Sequence, residues 1–439
     1  MDLIDPRTGA VRGALEPARA ERVAEAVTAA RLATAPWRAL TPRERERRLD
    51  ALADLVEQHL AEYTALEQAG TGKPADEVTG ELRNAADLFR FYAGAARTGT
   101  APAAGRYLPG HESWVRWEPI GVVGAIVPWN YPLLMAAWRC APALAAGNTV
   151  IVKPAETTPD SVALLAEHAA RVLGDGVLTA LPGDRESGRL LVASGVDMIA
   201  FTGSAAAGAD IAARAGHRRV SLELGGNSPV LVLPDAPAHT WAALAEACTY
   251  NAGQSCAAPA RVITLEENHE QVVTALAAAL AERRAGRDFG PLNNPDQAAR
   301  YDRLLGASAA RRSITAPGRT DGLWRRATLL ADLPDDDPAV LEEAFGPLLT
   351  VQRAATPEDA LALANGVPQA LAASVWTTDL TAALDLTARL HAGETWLNCH
   401  LVQSAELPHS GRGASGHGTD LSALALQEYQ RPKTVTVRL

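Results

Sequence analysis

The chain has 439 residues, of which 47% are hydrophobic and 21% are charged, so it has enough apolar material for two or three packed domains. Its net charge of −10 disfavours a nucleic-acid-binding surface. The longest uncharged run, residues 119–138, contains three prolines and an asparagine and is therefore a poor membrane helix. We expect a globular protein whose partners include neither nucleic acid nor membrane.

The four cysteines, Cys140, Cys248, Cys256 and Cys399, form no C-x-x-C pair and are too few for a disulfide framework. The first residues lack the basic and apolar regions of a secretory signal. These features favour free thiols in a reducing cytoplasm, and no metal site is predicted.

The first 120 residues are expected to be mainly helical. Helices are predicted over residues 17–36, 42–70 and 81–96. Thr41-Pro-Arg-Glu44 has the composition of a capping box that starts the second of them. A connector rich in Gly, Ala and Pro follows at 98–110, and a strand is predicted at 114–117.

From residue 121 onward, short apolar runs alternate with helical patterns, which predicts parallel, doubly wound α/β sheets. The first series has strands 121–127, 149–152, 177–180, 198–201 and 220–224, with helices 133–146, 160–172, 186–194 and 205–215. The second has strands 230–233, 261–265, 348–353, 372–377 and 394–398, with helices 238–252, 267–285, 357–365 and 380–391. Residues 286–345 are expected to be loop-rich. The alternating tail 434–439 is expected to be a strand that needs a partner, another subunit among the options.

Cys256 lies among small residues in the segment Asn251-Ala-Gly-Gln-Ser-Cys256-Ala-Ala-Pro-Ala260. A thiolate is a strong nucleophile where a base or a positive charge promotes its formation. A lone cysteine is more often a small buried hydrophobic residue. This segment alone therefore leaves both interpretations open.

Two motifs carry candidate catalytic groups at the ends of predicted strands, where open α/β sheets bind ligands. Asn130, in Pro128-Trp-Asn-Tyr-Pro132, can donate to an oxyanion or simply occupy a turn. Glu223, before Leu-Gly-Gly, can act as a general base or be a solvated residue before a turn.

Other strand ends carry groups suited to a nucleotide. Lys153 and Glu156 can bond ribose hydroxyls or form a surface ion pair, and the Glu156 carboxylate would repel a 2′-phosphate. Phe201-Thr-Gly-Ser204 has the strand, turn and helix start that hold a pyrophosphate. The literal G-x-G-x-x-G at 411–416 follows no strand, so we expect a flexible or closely packed loop near the active site instead.

These motifs, with Glu342-Glu-Ala-Phe-Gly-Pro347, together resemble the aldehyde dehydrogenase superfamily of NAD(P)-dependent enzymes, from about residue 5 to the C-terminus. Phe89–Arg97, Tyr131–Trp138 and Glu406–His409 look most like the bacterial aminobutyraldehyde and betaine-aldehyde-like branch. The resemblance implies two doubly wound parallel-sheet α/β domains and a small β extension that builds homodimers or homotetramers. The implied parts are an NAD-binding domain (1–96 and 119–224), a catalytic domain (225–413) and the extension (97–118 and 430–439).

The resemblance also assigns roles. It makes Cys256 the nucleophile, Asn130 and the Cys256 backbone N–H the oxyanion hole, and Glu223 the base that activates cysteine or water. The implied reaction runs through a thiohemiacetal and a thioester that water hydrolyses. NAD, with NADP second, would contact Trp129, Lys153, Glu156, Thr202, Gly203, Ser204, Glu343 and Phe345.

The implied substrate pocket comprises Tyr131, Met135, Trp138, Ser255, Ala257, Gln403 and His409. Tyr131 and Trp138 suit an aliphatic chain or an ammonium group held by cation–π contact. Glu81 and Asp87 are candidate ammonium partners, with a solvated helix face as the alternative. The first expectation is an ω-aminoaldehyde such as 4-aminobutyraldehyde or a guanidino analogue, and the second a neutral aliphatic or aromatic aldehyde. His409 is expected to shape the pocket.

Three departures from the family pattern are expected. The opening strand pair is missing, the region 262–345 is short, and Gln369-Ala370 replaces the usual Tyr-Gly. Two other classes remain open: a catalytically silent scaffold of this fold, and a cofactor-free cysteine hydrolase in which His400 or His409 pairs with Cys256. The hydrolase would leave the nucleotide motifs unexplained.

Overall fold

The N-terminal part combines a β-hairpin with four helices in a computed structural model that describes residues 1–99 and 101–439. Its elements are β1 (Asp2–Ile4), β2 (Val11–Ala14), α1 (Ala20–Ala39), α2 (Pro42–Gln58), α3 (Leu60–Thr71) and α4 (Ala75–Ala95). Because β1 and β2 pair in an antiparallel hairpin, the prediction that an opening strand pair is missing is wrong. Strands of three and four residues are too short to show a clear alternation of polar and apolar residues.

The predicted helix 42–70 is two helices. It starts as expected, because the Thr41 hydroxyl accepts from the Glu44 N–H and the Glu44 carboxylate accepts from the Thr41 N–H. It breaks at His59, whose backbone is not helical (φ −102°, ψ 21°), so that α3 turns away from α2. α4 begins directly after Pro74, earlier than the predicted start at Glu81.

The next part of the chain builds a five-stranded parallel sheet. Its elements, with two preceding strands, are β3 (Ala104–Gly105), β4 (His111–Pro119), β5 (Val122–Ile126), α5 (Pro132–Ala145), β6 (Thr149–Lys153), α6 (Asp160–Val172), β7 (Leu178–Ala180), α7 (Arg185–Ala193), β8 (Met198–Gly203), α8 (Ala205–Ala215) and β9 (Arg219–Leu224). The strand order is β7-β6-β5-β8-β9, so the direction of winding reverses between β5 and β8. Such a switch point opens a crevice at the carboxyl ends of the strands. All residues of β5 and β6 are buried, which explains their continuous apolar sequence.

A second, seven-stranded sheet follows. Its elements, with their connections, are β10 (Ser228–Val232), α9 (Thr240–Thr249), a 3₁₀ helix (Tyr250–Gly253), β11 (Pro259–Leu265), α10 (His269–Ala281), α11 (Pro295–Ala307), β12 (Arg312–Thr315), β13 (Thr328–Ala331), α12 (Pro338–Leu341), β14 (Leu348–Ala354), α13 (Pro357–Ala364), β15 (Gln369–Ala370), β16 (Ala372–Trp376), α14 (Leu380–Arg389) and β17 (Glu394–Leu397). The order is β12-β13-β14-β11-β10-β16-β17, with only β12 antiparallel to its neighbour among these strands of the described chain.

The segment 286–345 is more regular than predicted. It contributes α11 and two strands, β12 and β13, that extend the second sheet at one edge. A start signal was present at Asn294-Pro295, where the Asn294 side chain accepts from the Gln297 N–H. The helix predicted to reach residue 252 ends at Thr249, because Asn251 and Ala252 adopt left-handed backbone angles.

The C-terminal part closes the molecule with short strands. The short strands are β18 (His409–Ser410), β19 (Arg412–Gly413) and β20 (Thr419–Asp420). The helix α15 (Ala425–Glu428) and the longer strand β21 (Gln430–Arg438) follow them. β21 pairs along its length with β4, and β3 completes this antiparallel sheet. The tail strand therefore has a partner within its own chain. The α/β class with two parallel sheets is confirmed, while the domain boundaries stay predictions.

No helix in the described ranges is both long enough and apolar enough to cross a bilayer.

Candidate active site

The Cys256 loop is held in one conformation by its backbone. Asn251 (φ 48°) and Ala252 (φ 53°) take left-handed angles, which residues with a side chain seldom adopt. Ser255 and Ala257 on either side of the cysteine are buried, whereas Cys256 itself is partly exposed. The loop therefore presents the thiol to a cavity on a fixed support.

Two glycines let the end of β9 approach this loop. A Cβ atom on Gly226 would lie 2.3 Å from the backbone oxygen of Cys256, and one on Gly225 would lie 2.1 Å from Oε2 of Glu343. Only a residue without a side chain fits at either place. The Glu223-Leu-Gly-Gly motif thus brings a carboxylate, the nucleophile loop and Glu343 together.

Asn130 contacts the same loop from the end of β5. Its Nδ2 donates to the backbone oxygen of Gln254 at 2.9 Å, and Asn251 Nδ2 donates to the backbone oxygen of Asn130 at 2.9 Å. A side-chain amide has two N–H bonds, so one remains after the bond to Gln254. Asn130 and Cys256 line one cavity, as the proposed oxyanion hole requires.

Glu223 is buried beside that cavity, and neither carboxylate oxygen has a hydrogen-bond partner within the part of the chain that the structure describes. Burial, with Asp420 as a further cause, raises the pKa of Glu223 well above its usual range. The solvated interpretation of Glu223 is therefore wrong. A buried carboxyl without partners is suited to accept a proton from a bound water.

The glycine-rich loop 411–416 packs against Glu223. Gly416 forms a backbone bridge to Glu223, and a Cβ atom on Gly416 would lie 2.2 Å from the Leu222 backbone oxygen. Of the two expectations for this loop, the closely packed one describes it.

The structure adds an ion pair that the sequence did not suggest. Arg139 Nη1 lies 3.0 Å from Asp420 Oδ1, and both side chains are fully buried. Arg139 also donates to the Thr202 hydroxyl at 2.9 Å. Burial raises the pKa of Asp420 to about 6, although Arg139 opposes the change. The one signal in the sequence was an arginine within the otherwise apolar helix α5.

His409 is more than a wall of the pocket. Its Nδ1 lies 2.9 Å from Glu394 Oε2 and 3.0 Å from Gln403 Nε2, and its ring packs edge-on to Trp138. Its imidazole lines the same cavity as the Cys256 thiol. Burial alone would lower the pKa of His409, but the bonds to Cys256 and Glu394 outweigh it and raise the pKa well above its usual value.

The cavity beside Cys256 has a volume of about 190 Å³. Residues that line it include Trp129, Asn130, Met135, Trp138, Glu223, Cys256, Phe345, His409 and Asp420. Three of the predicted substrate-pocket residues, Met135, Trp138 and His409, are therefore in place. Ser255 lines a smaller cavity on the other side of the Cys256 loop. Ala257 is buried and accepts a 2.8 Å hydrogen bond from His400, and Gln403 is exposed except for its bonds to Glu394 and His409.

Tyr131 makes a contact that the sequence did not predict. The Lys73 ammonium lies 3.9 Å from the centroid of its ring, which is therefore already engaged with a cation. Lys73 Nζ is 2.6 Å from Glu81 Oε2, and both side chains are buried. Glu81 is thus neither solvated nor available to a substrate ammonium, because it neutralises Lys73. Asp87 is exposed on α4, as the alternative of a solvated helix face expected.

A second cavity adjoins the first at the carboxyl ends of β5, β6 and β8. Its lining includes Trp129, Lys153, Glu156, Thr202, Gly203 and Ser204, and Trp129, Thr202, Gly203 and Ser204 also line the first cavity. Lys153 is buried, which lowers its pKa, and its Nζ lies 3.5 Å from Glu156 Oε2. Ser204 caps α8 by accepting from the Ala207 N–H at 3.3 Å. The start of α8 therefore faces the cleft.

Glu343 and Phe345 line both the first cavity and the smaller cavity on the other side of the Cys256 loop. Gly226 N–H donates to Glu343 Oε1 at 3.0 Å. Burial raises the pKa of Glu343 to about 8, against the effects of Gly226 and Arg300. Phe345 adopts a left-handed backbone (φ 49°) and packs edge-on to Trp129 with ring centroids 5.4 Å apart.

The family model described as the aldehyde dehydrogenase family matches residues 1–435. This chain belongs to the aldehyde dehydrogenase family. It is 35% identical to human retinal dehydrogenase 2 over 462 residues, which cover 99% of this chain and 88% of that protein. It is 34% identical to the betaine aldehyde dehydrogenase of Bacillus subtilis (strain 168) over 437 residues, which cover 94% and 89%.

Solved structures agree with the sequence comparison. The crystal structure of betaine aldehyde dehydrogenase from Staphylococcus aureus in complex with NAD⁺ matches with a TM-score of 0.94 at 28% identity, covering 100% of this chain and 92% of the other. The predicted family and the aldehyde dehydrogenase-like fold are therefore confirmed. As a member of this family, the protein is an enzyme. Family membership therefore disfavours both the scaffold and the cofactor-free hydrolase.

One further group of ionisable side chains lies away from the two cavities. Ligand atoms of His269, Glu270 and Asp332 lie close enough together to hold an ion. Arg312 lies 2.8 Å from Glu270, and Arg353 lies 3.0 Å from Asp332, so arginines already balance both carboxylates. We assign no metal to this group.

Proposed function

We propose that this aldehyde dehydrogenase oxidises its substrate to the carboxylic acid with NAD as the oxidant, using Cys256, Asn130 and Glu223. One observation carries the proposal. These three side chains line a single cavity that continues into the cleft of Lys153 and Ser204. The reacting carbon and a nucleotide bound in the cleft would then meet at the thiol.

Cys256 attacks the aldehyde carbon and forms a thiohemiacetal. Its oxyanion is stabilised by the remaining N–H of Asn130 and the backbone N–H of Cys256. Once the thiohemiacetal has lost its hydride and become a thioester, Glu223 would take a proton from the water that attacks the thioester carbon. The C–S bond then breaks, the Cys256 thiolate leaves, and the acid is released.

The second cavity fits NAD. The start of α8 supplies backbone N–H groups for a pyrophosphate, and Lys153 and Glu156 supply a donor and an acceptor for ribose hydroxyls. A Cβ atom on Gly203 would lie 2.5 Å from the Phe201 ring, so the turn into α8 needs glycine. Glu343 would hold the second ribose, and Phe345 would pack near the nicotinamide. Bound NAD supplies the hydride acceptor that converts a thiohemiacetal to a thioester.

The direct test is a panel of aldehydes with NAD or NADP, followed by absorbance of the reduced cofactor. Reduction is expected with NAD in preference to NADP, because the Glu156 carboxylate opposes a 2′-phosphate. Cys256→Ser is the matched control and should abolish reduction. An absence of reduction with every aldehyde would refute the proposed function.

The role of Glu223 has its own test. Glu223→Gln keeps the shape of the side chain but cannot accept a proton from water. We expect a burst of reduced cofactor equal to one acyl group per site, followed by a steady rate reduced about 100-fold or more. A variant that hydrolyses the thioester at the wild-type rate would remove Glu223 from this role.

For the substrate we propose a neutral aliphatic or aromatic aldehyde. Trp129, Met135 and Trp138 give the cavity apolar walls. The raised-pKa imidazole of His409, which lines the cavity, would repel an ammonium group. This preference reverses the order expected from the sequence, because Glu81 is already paired with Lys73.

An ω-aminoaldehyde is the second candidate. It is favoured by the likeness to two betaine aldehyde dehydrogenases, whose substrate carries a cationic nitrogen. The same panel separates the two candidates. Comparing hexanal with 4-aminobutyraldehyde should give the higher kcat/KM for hexanal, and the opposite ranking would restore the aminoaldehyde.

We also propose a homodimer or homotetramer in the cytoplasm. β21 lies at the edge of the antiparallel sheet, and edge strands are ready sites for pairing with another chain. The free thiols of all four cysteines support a reducing compartment.

A further inference from the structure

His409 lines the same cavity as the Cys256 thiol, interacts with that thiol, and contacts a second carboxylate that the proposed mechanism does not use. Its Nδ1 lies 2.9 Å from Glu394 Oε2, and the residue is 2% exposed. Glu394 begins β17 and His409 begins β18, so two separate strands position this pair. With Nδ1 bonded to Glu394, Nε2 is the ring nitrogen left for the thiol.

This arrangement has the geometry of a nucleophile, a base and a group that orients the base. Gln403 Nε2 donates to the same Glu394 oxygen at 3.1 Å, and the edge-on contact with Trp138 limits rotation of the His409 ring. The Glu394 side chain is 12% exposed, so solvent screens its contact with the imidazole only weakly.

Glu223 is poorly placed to perform the same task in the free enzyme. Neither of its oxygens has a hydrogen-bond partner among the described residues, so Glu223 makes no hydrogen bond to the Cys256 thiol. His409 is the other base beside Cys256.

We propose that His409 takes the Cys256 proton in the free enzyme and that Glu394 is the positioning residue that keeps its imidazole in place. The S–H bond of Cys256 breaks, its proton moves to Nε2 of His409, and a thiolate–imidazolium pair remains. No oxidant or further reactant is needed. The inference rests on the proposed function, since it takes Cys256 as the nucleophile, and it leaves Glu223 for hydrolysis of the thioester.

Several charged groups face this pair from the elements packed around it. Glu394 lies on β17, Glu223 on β9, and Asp420 on β20, where it is the register partner of His409. Arg139 on α5 neutralises Asp420. The carboxylates favour an imidazolium, so the cation that stabilises the thiolate persists through neutral pH.

The test measures the rate of Cys256 alkylation by iodoacetamide from pH 5 to pH 10, without NAD or aldehyde. The profile of the full-length wild type supplies the reference midpoint for the variants. His409→Gln should move the midpoint up by at least about one pH unit and slow alkylation at pH 7 about tenfold or more. At pH 9–10 the variant should regain the wild-type rate, because hydroxide then removes the proton.

Glu394→Gln gives a second, milder variant. It keeps a hydrogen-bonding side chain but removes the charge, so a smaller shift in the same direction is expected. His217→Gln, which changes an exposed histidine, is the matched control and should leave the profile unchanged. Peptide mass spectrometry assigns the label to Cys256 rather than to the partly exposed Cys399, and thermal unfolding shows whether each variant is folded.

Identical alkylation midpoints for wild type, His409→Gln and Glu394→Gln would overturn the inference. A slower rate in His409→Gln that does not recover at high pH would also overturn it, because loss of structure alone explains that result. The alkylation profile needs neither cofactor nor substrate. Failure of the proposed aldehyde oxidation would therefore be seen separately, as an absence of cofactor reduction.

Discussion

Asn130 uses one of its two amide N–H bonds for the backbone oxygen of Gln254 and keeps the other for the cavity. This bond ties the end of β5 to the Cys256 loop. The same side chain would therefore both position the nucleophile loop and stabilise negative charge on a bound substrate.

Asn130→Ala should lower turnover about 100-fold or more, since one oxyanion donor contributes roughly 3–4 kcal/mol. Steady-state reduction of NAD measures the loss. Asn84→Ala, on the exposed surface of α4, is the control and should keep wild-type turnover. Turnover within about tenfold of wild type in Asn130→Ala would exclude the oxyanion role.

Glu343 gives a pH-dependent prediction. Burial raises its pKa from 4.5 to about 8, so the folded chain holds a proton that the unfolded chain releases above about pH 4.5. Stability therefore falls as pH rises from 5 to 8. In Glu343→Gln, the decrease in the free energy of unfolding between pH 5 and pH 8 should be smaller than in wild type by about 3 kcal/mol. Urea unfolding at the two pH values measures this difference.

The neighbouring Glu342 is a matched control. It is partly exposed, and its bond to Arg303 is the main cause of a lowered pKa. Glu342→Gln should leave the fall in stability between pH 5 and pH 8 in place. If Glu343→Gln loses as much stability over this range as wild type, the Glu343 carboxyl is not a buried, protonated group.

Single residues with a strong local motif could be named as candidates from the sequence, whereas residues defined by distant pairing could not. Cys256, Glu223 and Asn130, which line one cavity, could be named because each stands in a distinctive short segment. Arg139 and Asp420 pair across most of the chain, and no local pattern indicates such a contact. The Glu394–His409 bond depends in the same way on how two strands come together.

At the scale of elements, the strands of both parallel sheets were predicted well because they are buried on both faces and hence continuously apolar. The hairpin β1–β2 and the strands β12 and β13 were missed. They have three or four residues each, and β12 is largely exposed. The break at His59 lacked any proline or glycine to mark it.

The close approach of β9 to the Cys256 loop can be tested with one methyl group. Gly226→Ala would place Cβ 2.3 Å from the Cys256 backbone oxygen, so the loop must move. We expect kcat to fall about tenfold or more, because an oriented nucleophile is sensitive to small displacements.

Gly80→Ala is the control for that substitution. Gly80 lies within α4, and a Cβ atom at this position would have no described heavy atom of a neighbouring element within 4 Å. Alanine should leave kcat unchanged and stabilise the helix by about 0.5–1 kcal/mol. Equal kcat for Gly226→Ala and wild type would show that the loop tolerates a shift at this point.

At the scale of the whole molecule, the order of motifs along the chain predicted the family and the two parallel sheets, and the comparisons confirm both. The pairing of the terminal strand could not be predicted from the sequence. Alternation of polar and apolar residues predicted β21, but its partner β4 lies far away in the sequence, and no local pattern indicates that the two strands pair.

The β extension also carries a prediction about assembly. Trp114 and Val437 on paired strands are 37% and 43% exposed, and the terminal Leu439 is 65% exposed. Exposed apolar side chains on the face of a small sheet suit an interface between subunits. Trp114→Lys should shift the protein from dimer or tetramer to monomer in sedimentation velocity.

Leu32→Lys serves as the control for assembly. Leu32 is 76% exposed on α1, away from the β extension, so the same change in charge and polarity there should leave the sedimentation coefficient unchanged. A wild-type protein that sediments as a monomer would contradict the proposed oligomer. A Trp114→Lys variant that stays assembled would show that the interface lies elsewhere.

The pairing of β21 with β4 also determines when this sheet can form during synthesis of the chain. Contacts between them, such as that of Arg431 with the Ile120 backbone oxygen, join residues 311 positions apart. At translation rates of about 5–20 residues per second, β4 leaves the ribosome roughly 15–60 s before its partner exists. During that interval one edge of β4 is open to other nascent chains. Slower accumulation at low growth temperature, or abundant chaperones, should therefore raise the yield of folded enzyme more than any change at the active site.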